Sequence, residues 1–334
     1  MRANRRLLIN GVTVSAVPFR RLESRLHDRN SLRSLSSHGF TRIAQPMAEF
    51  RHPLSFGVVI AQHQYTWPEL VSQWKLAEEL GFDSIWLFDH FMALYADPDG
   101  PCLETSTLLS ALALETNRAR IGVLVYGNTH RHPSVLAKEI VTVDHISKGR
   151  AILGVGAGWN EREHRAYGIP FPSAGDRVEM LDEALQIMES LFTETRTTFH
   201  GRHYDLVDAP FAPKPVQPKL PVLIGGKRPR MLKVIARHAD LWDTGNDPEG
   251  IKEGLAHIHA HCAEIGRDPG EIAVSSSFGA DRLEHGDSFE DLIRTYRAAG
   301  TSQFLFDFPL GGDGLESAKR LATDVMPRLR DELA

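Results

Sequence analysis

The chain has 334 residues, 42% apolar and 24% charged, an ordinary globular balance that excludes a wholly disordered chain. With 38 Lys and Arg against 43 Asp and Glu its net charge is −5, which excludes a surface built to coat nucleic acid. Two cysteines, Cys102 and Cys262, exclude a disulfide framework or a thiolate-rich metal site, and no apolar run reaches the roughly 18–20 residues that span a bilayer.

Residues 1–50 differ from the rest. They carry nine Arg, no Lys and three acids (Glu23, Asp28, Glu49), so this stretch is +6 and the remainder −11. Three readings compete: a disordered basic extension, a targeting peptide, and upstream sequence before a start at Met47. Arg5-Arg6-Leu7-Leu8-Ile9 faintly resembles a twin-arginine export signal, but Asn10, Gly11 and Pro18 interrupt it and no small-residue cleavage site follows. The favoured expectation is a disordered extension, since the stretch has too little apolar surface to offset ordering entropy. Without an export signal the expected location is cytoplasmic.

From residue 54 strands and helices alternate. An apolar run at 54–60 predicts a buried strand, and Trp67-Pro68-Glu69 opens a helix with Pro in its first turn. Leu70, Trp74, Ala77 and Leu80 share one helical face, and Gly81 closes the helix. The strand 84–88, the helix 106–115, the strand 119–125 and the helix 134–146 follow. Next come a strand at 151–155 and a long helix at 176–192 with Val178, Leu181, Leu185 and Met188 on one stripe. Strands at 221–224, 240–243, 271–277 and 303–306 alternate with helices near 229–237, 249–265, 288–299 and 315–330.

These runs are eight strands, each followed by a helix. Their continuous apolar character marks a parallel sheet covered on both faces. Eight such units over about 280 residues predict one (β/α)8 TIM barrel over 51–334, with a doubly wound sheet as the rival. Two connections exceed the usual loop length: 91–105 after the second strand, and 195–220 before the fifth. Both are expected insertions.

Active sites of TIM barrels lie at the carboxyl ends of the strands. There this sequence places Gln62, His63 and Gln64; Asp89 and His90; Tyr126, Gly127, Asn128, Thr129, His130, Arg131 and His132; Gly156, Ala157, Gly158, Trp159, Asn160 and Glu161; and Gly225, Gly226, Lys227 and Arg228. Glycines and a helix start at 225–230, beside Lys227 and Arg228, predict a phosphate site. Gly154-Val155-Gly156-Ala157-Gly158 is not a dinucleotide fingerprint, because Trp159 occupies the third glycine's place and the motif lies outside the first βαβ unit. It predicts backbone on which a flat ring can rest. Asp89-His90 is the acid/base candidate, since His titrates nearest neutral pH and a carboxylate can orient it. Strand alternation leaves open whether the two bond to each other. Arg131 is either an ion-pair partner or a cofactor contact. His257, His259 and His261 read as a solvated helix face, and no metal site is expected. GxSxG, Walker and CxxC motifs are absent, so serine-hydrolase, P-loop and thioredoxin chemistry fall away.

The stretches 80–86, 89–91, 127–133, 156–161, 163–172 and 225–226, with 239–242, resemble the bacterial luciferase-like monooxygenase superfamily, and within it the actinobacterial oxidoreductases that use the deazaflavin coenzyme F420. The resemblance implies a luciferase-like TIM barrel with the cofactor ring over its mouth. It implies that Asp89 contacts the cofactor and that His90 is the acid/base near the reacting ring atom. It places a non-prolyl cis peptide around Val125-Tyr126, Gly127 and Asn128 beside the ring, Gly156 and Gly158 near the tail, and Gly225, Gly226 and Lys227 at the phosphate. Tyr126 stands where a smaller residue is expected and would narrow the pocket, and Lys227-Arg228 replaces a more glycine-rich loop. The implied activity is F420-dependent hydride transfer with a small organic substrate; limonene-, alkanesulfonate- and glucose-phosphate-type substrates are all compatible. The alternatives are an FMN-dependent two-component monooxygenase fed by a separate flavin or F420 reductase, and a non-catalytic flavin-binding protein. The resemblance also implies a homodimer.

Overall fold

Short apolar runs that bury both faces can satisfy their backbone only by pairing with like runs, and eight of them here close into a parallel barrel. The computed structural model describes residues 51–94, 96–279, 289–309 and 312–333. The readings of residues 1–50 and of a start at Met47 lie outside the described residues.

In chain order the barrel strands are β1 (Ser55–Val59), β2 (Ser84–Leu87), a third strand in two pieces, β3 (Arg120–Val123) and β4 (Tyr126–Gly127), then β5 (Ala151–Gly156), β8 (Val222–Gly225), β9 (Leu241–Thr244), β10 (Ala273–Phe278) and β11 (Thr301–Asp307). All pair in parallel, and the β3–β5 and β1–β11 ladders complete the ring, which excludes the doubly wound rival. β6 (Arg196–His200) and β7 (Asp205–Pro210) form a separate antiparallel hairpin within the insertion before β8. The sequence pattern does not reveal this hairpin, because its residues are mostly exposed and polar and carry no apolar alternation.

The helices are α1 (Trp67–Glu79), α2 (Thr105–Glu115), α3 (Pro133–Ser147), α4 (Glu161–Tyr167), α5 (Ala174–Thr193), α6 (Pro229–His238), α7 (Pro248–Ile265) and α8 (Phe289–Ala298), followed by Gly312–Arg320, a π-helical turn at Leu321–Val325 and Met326–Glu332. In α1 the Glu69 carboxylate accepts the Thr66 N–H at 2.7 Å, and Leu70, Trp74 and Ala77 turn inward. α4 is an addition to the expected series: about two turns between Asn160, whose side chain accepts the Glu163 N–H, and Gly168 at φ 68°.

Two apolar layers result. Side chains facing outward from the strands pack under the helices, and a smaller cluster of Val59, Trp86, Ile152, Leu223 and Leu305 fills the lumen. Trp86 takes the space left by small neighbours: a Cβ on Gly122 would lie 2.6 Å from its ring. The cis peptide expected at Val125-Tyr126 falls one bond earlier, between Leu124 and Val125, at the break between β3 and β4.

Candidate active site

At the carboxyl ends of β2, β4, β5 and β8 lies a cavity of ≈ 450 Å³. Of the expected site residues, Asp89, His90, Val125, Tyr126, Gly127, Gly156, Gly158, Gly225, Gly226 and Lys227 line it. Asn128 does not. It is buried behind the wall, where its N–H donates to Gly156 O at 2.9 Å and its Nδ2 donates to Tyr204 Oη at 3.2 Å.

Asp89 follows β2 and is 3% exposed. Its Oδ1 accepts from Arg131 Nη2 at 2.9 Å; its Oδ2 accepts from Arg131 Nη1 and the Gly127 N–H at 2.9 Å and meets His130 Nδ1 at 2.9 Å. Burial alone would raise this carboxyl, but the bonds from His130 and Arg131 outweigh it and hold it at about 2. Arg131 is therefore the ion-pair partner, of the two roles left open for it. Its guanidinium also covers the fully buried Tyr126 ring, 4.8 Å from the centroid. Tyr126 lines the cavity and packs its phenol under Arg131.

His90 does not bond to Asp89. Its Nδ1 lies 2.7 Å from Oε2 of Glu163, which comes from α4 and is fully buried. The other Glu163 oxygen accepts the Phe91 N–H at 2.5 Å. Burial would push the Glu163 carboxyl up; the bonds from His90 and Phe91 outweigh it and hold it below its ordinary value. Nothing in the sequence assigns Glu163 a role, because the short, polar α4 carries no apolar stripe to mark its inward face. Trp159, 63% exposed, sets its ring 5.8 Å from His90, edge-on, at the rim of the cavity.

Two titratable groups near His90, His63 and Cys102, are shifted by burial. Burial draws His63 down to about 4, helped by the proximity of His90. Burial, then the Glu163 charge, pushes the Cys102 thiol up to about 11, and its Sγ donates to His90 O at 3.4 Å. Gln62 is fully buried and structural, donating to Phe88 O at 2.7 Å and Thr105 Oγ1 at 2.8 Å. His132 caps α3 through the Ser134 N–H. His257 and His259 are exposed on α7, as expected, whereas His261 is half-buried with its Nδ1 3.2 Å from Glu264 Oε2. Among the described residues, Asp176, Glu179 and His203 bring three ligand-type atoms within 4.8 Å, but Arg202 already pairs with both carboxylates.

The cavity wall is backbone wherever glycine stands. A Cβ on Gly156 would lie 2.9 Å from Val125 Cγ2, and Gly158 holds φ +78° with room for no side chain, since a Cβ would meet Thr129 Oγ1 at 2.4 Å. Gly225 and Gly226 continue this smooth wall to the start of α6, where Lys227 and Arg228 are exposed. A planar group can lie against such a wall with an anionic arm toward α6, where unpaired N–H groups and two cations meet it.

The luciferase-like monooxygenase family model matches residues 50–303. An F420-dependent glucose-6-phosphate dehydrogenase of Microbacterium testaceum is 36% identical over 206 residues, 61% of this chain and 60% of that protein. One of Kineococcus radiotolerans is 34% identical over 189 residues, 56% of this chain and 55% of that protein. The chain thus matches less than two thirds of the length of these relatives. Among solved structures, an F420-dependent secondary alcohol dehydrogenase in complex with an F420-acetone adduct superposes with a TM-score of 0.75 at 20% identity, covering 84% of this chain and 100% of that one. At that identity the likeness speaks for the fold.

Proposed function

Because the chain belongs to the luciferase-like monooxygenase family, we propose that it is a coenzyme F420-dependent oxidoreductase acting on a small organic substrate. One observation carries this reading: a single glycine-walled cavity has the His90–Glu163 pair in its lining and the cationic start of α6 at its edge. The F420-dependent names of the curated relatives favour the deazaflavin over FMN. The residues present fit such a cofactor, since Gly156, Gly158, Gly225 and Gly226 line the cavity without side chains and Lys227 and Arg228 stand exposed at its edge.

When bound, the deazaflavin supplies hydride transfer, because it carries carbon where flavin carries N5. The protein's residues do the rest. Gly127, Gly156 and Gly225 would present backbone to the ring, and Gly226, Lys227 and Arg228 would hold the anionic arm. Glu163 occupies His90 Nδ1, so Nε2 is the nitrogen left to take or give the proton that accompanies hydride transfer. Asp89 acts through others: it locks Arg131, His130 and the Gly127 N–H, and so fixes the wall on which the ring rests.

Titration of the purified chain with F420 and with FMN, followed by absorbance and fluorescence, tests this reading. F420 is expected to bind tightly and FMN weakly. Tight FMN binding without F420 binding would contradict it and favour a two-component monooxygenase.

A further inference from the structure

Among the described residues, two large aromatic side chains line the cavity. Tyr126 is buried, whereas Trp159 is mostly exposed. Yet the backbone on both sides of Trp159 is held. Gly158 O accepts from Arg177 Nε at 3.1 Å, and Asn160 O meets Nδ1 of the fully buried His164 at 2.7 Å. The other His164 ring nitrogen lies 2.7 Å from Thr129 Oγ1. The indole is thus offered to solvent from a fixed base. Left in water, it forgoes the burial that a Trp side chain normally gains; set in a cavity wall, it is an apolar contact whose ordering cost is already met.

The direction in which the indole leans says which ligand covers it. β5, which carries Trp159 just past its end, pairs with β8 on one side and with β3 and β4 on the other. Lys227 and Arg228 follow β8. The indole lies the other way, against His90 at the end of β2, with 5.8 Å between ring centroids and 73° between planes. Glu163 occupies His90 Nδ1, so a reacting group has to come to Nε2. A molecule hydrogen-bonded there from within the cavity lies beside the indole. The part of it that faces the indole meets carbon, and a hydroxyl turned that way would give up water without gaining a partner. The fully buried Glu163 carboxylate next to His90 also disfavours a second anion at this end of the cavity.

Building on the proposed F420-dependent reaction, we propose that Trp159 is a specificity residue that contacts the substrate beside its reacting carbon, and that this part of the substrate is uncharged and apolar, as in a cyclic secondary alcohol or its ketone. A sugar phosphate would turn hydroxyls to the indole and is the poorer fit. Lys227 and Arg228 stay with the arm of the cofactor.

The test uses the full chain loaded with oxidised F420 and two probes, cyclohexanone, which has no hydride to give and so binds without reacting, and glucose 6-phosphate. Titration calorimetry reads the affinity of each probe, and F420 affinity is measured in parallel. Cyclohexanone is expected to bind the wild type more tightly than glucose 6-phosphate does. Trp159→Ala should weaken cyclohexanone about tenfold while F420 affinity stays unchanged. Trp159→Phe, which keeps an aromatic face, should restore most of the loss and serves if the alanine variant does not fold. The proposal is overturned if cyclohexanone does not bind the wild type, if glucose 6-phosphate binds more tightly or reduces the cofactor, if Trp159→Ala binds cyclohexanone as the wild type does, or if that variant loses F420 affinity as well, which would place the indole against the cofactor. A wild-type chain that fails to take up F420 in the first place contradicts the proposed function itself, and this proposal falls with it.

Discussion

His90→Gln is expected to lower turnover about 100-fold or more while F420 affinity stays unchanged. The substitution removes the titrating imidazole and leaves the glycine wall and the start of α6 untouched, so binding and chemistry should separate. Steady-state kinetics beside an F420 titration measures both. Glu163→Gln is the informative companion. It keeps a hydrogen-bonding group near His90 Nδ1 but removes the buried negative charge. The imidazole loses the carboxylate that fixes its Nδ1, so turnover should fall about tenfold while F420 affinity is kept. A purely structural Glu163 would lower F420 affinity and turnover together. Wild-type turnover in His90→Gln would remove His90 from the chemistry.

Asp89→Ala is expected to cost stability more than any other single change at the site. It strips the close carboxylate from Arg131 and His130 and leaves the largely buried guanidinium only Glu104 and Glu139, each at 3.7 Å, a loss of about 3–5 kcal/mol. The urea midpoint should fall accordingly. The same carboxylate sets an acid limit. It titrates at about 2 in the folded chain, below the ordinary Asp value, so its contribution is complete above about pH 4 and is lost as pH falls toward 2. Asp89→Asn should lack this part of the acid sensitivity. An unchanged urea midpoint in Asp89→Ala would show that the Arg131 pair holds nothing in place.

The barrel was legible because its signals are local. Apolar runs of strand length, helical stripes such as Leu70, Trp74 and Ala77, and glycines at turns are each decided within a few residues. The position of the site followed from the strand ends. The partners within it did not follow. Asp89 and His90 are adjacent in sequence, yet one bonds to Arg131 and the other to Glu163, more than 70 residues away. Such pairings depend on how α4 sits over β2, and α4 is too short and too polar to announce itself by periodicity. Asn128 shows the converse: it lies in a stretch that marks the site, yet its side chain turns behind the wall to Tyr204. The surface hairpin β6–β7 escaped for want of an apolar face.

The central claim is that one hollow holds both the ring and its anionic arm, with the arm at the start of α6. It is tested most directly by titrating the wild-type chain and a Lys227→Ala/Arg228→Ala double variant with F420 and with a deazaflavin ring that lacks the arm. The wild type should prefer F420. The double variant should lose about tenfold or more of its F420 affinity and bind the bare ring as the wild type does. Equal losses for both ligands, or full F420 affinity in the double variant, would contradict the claim.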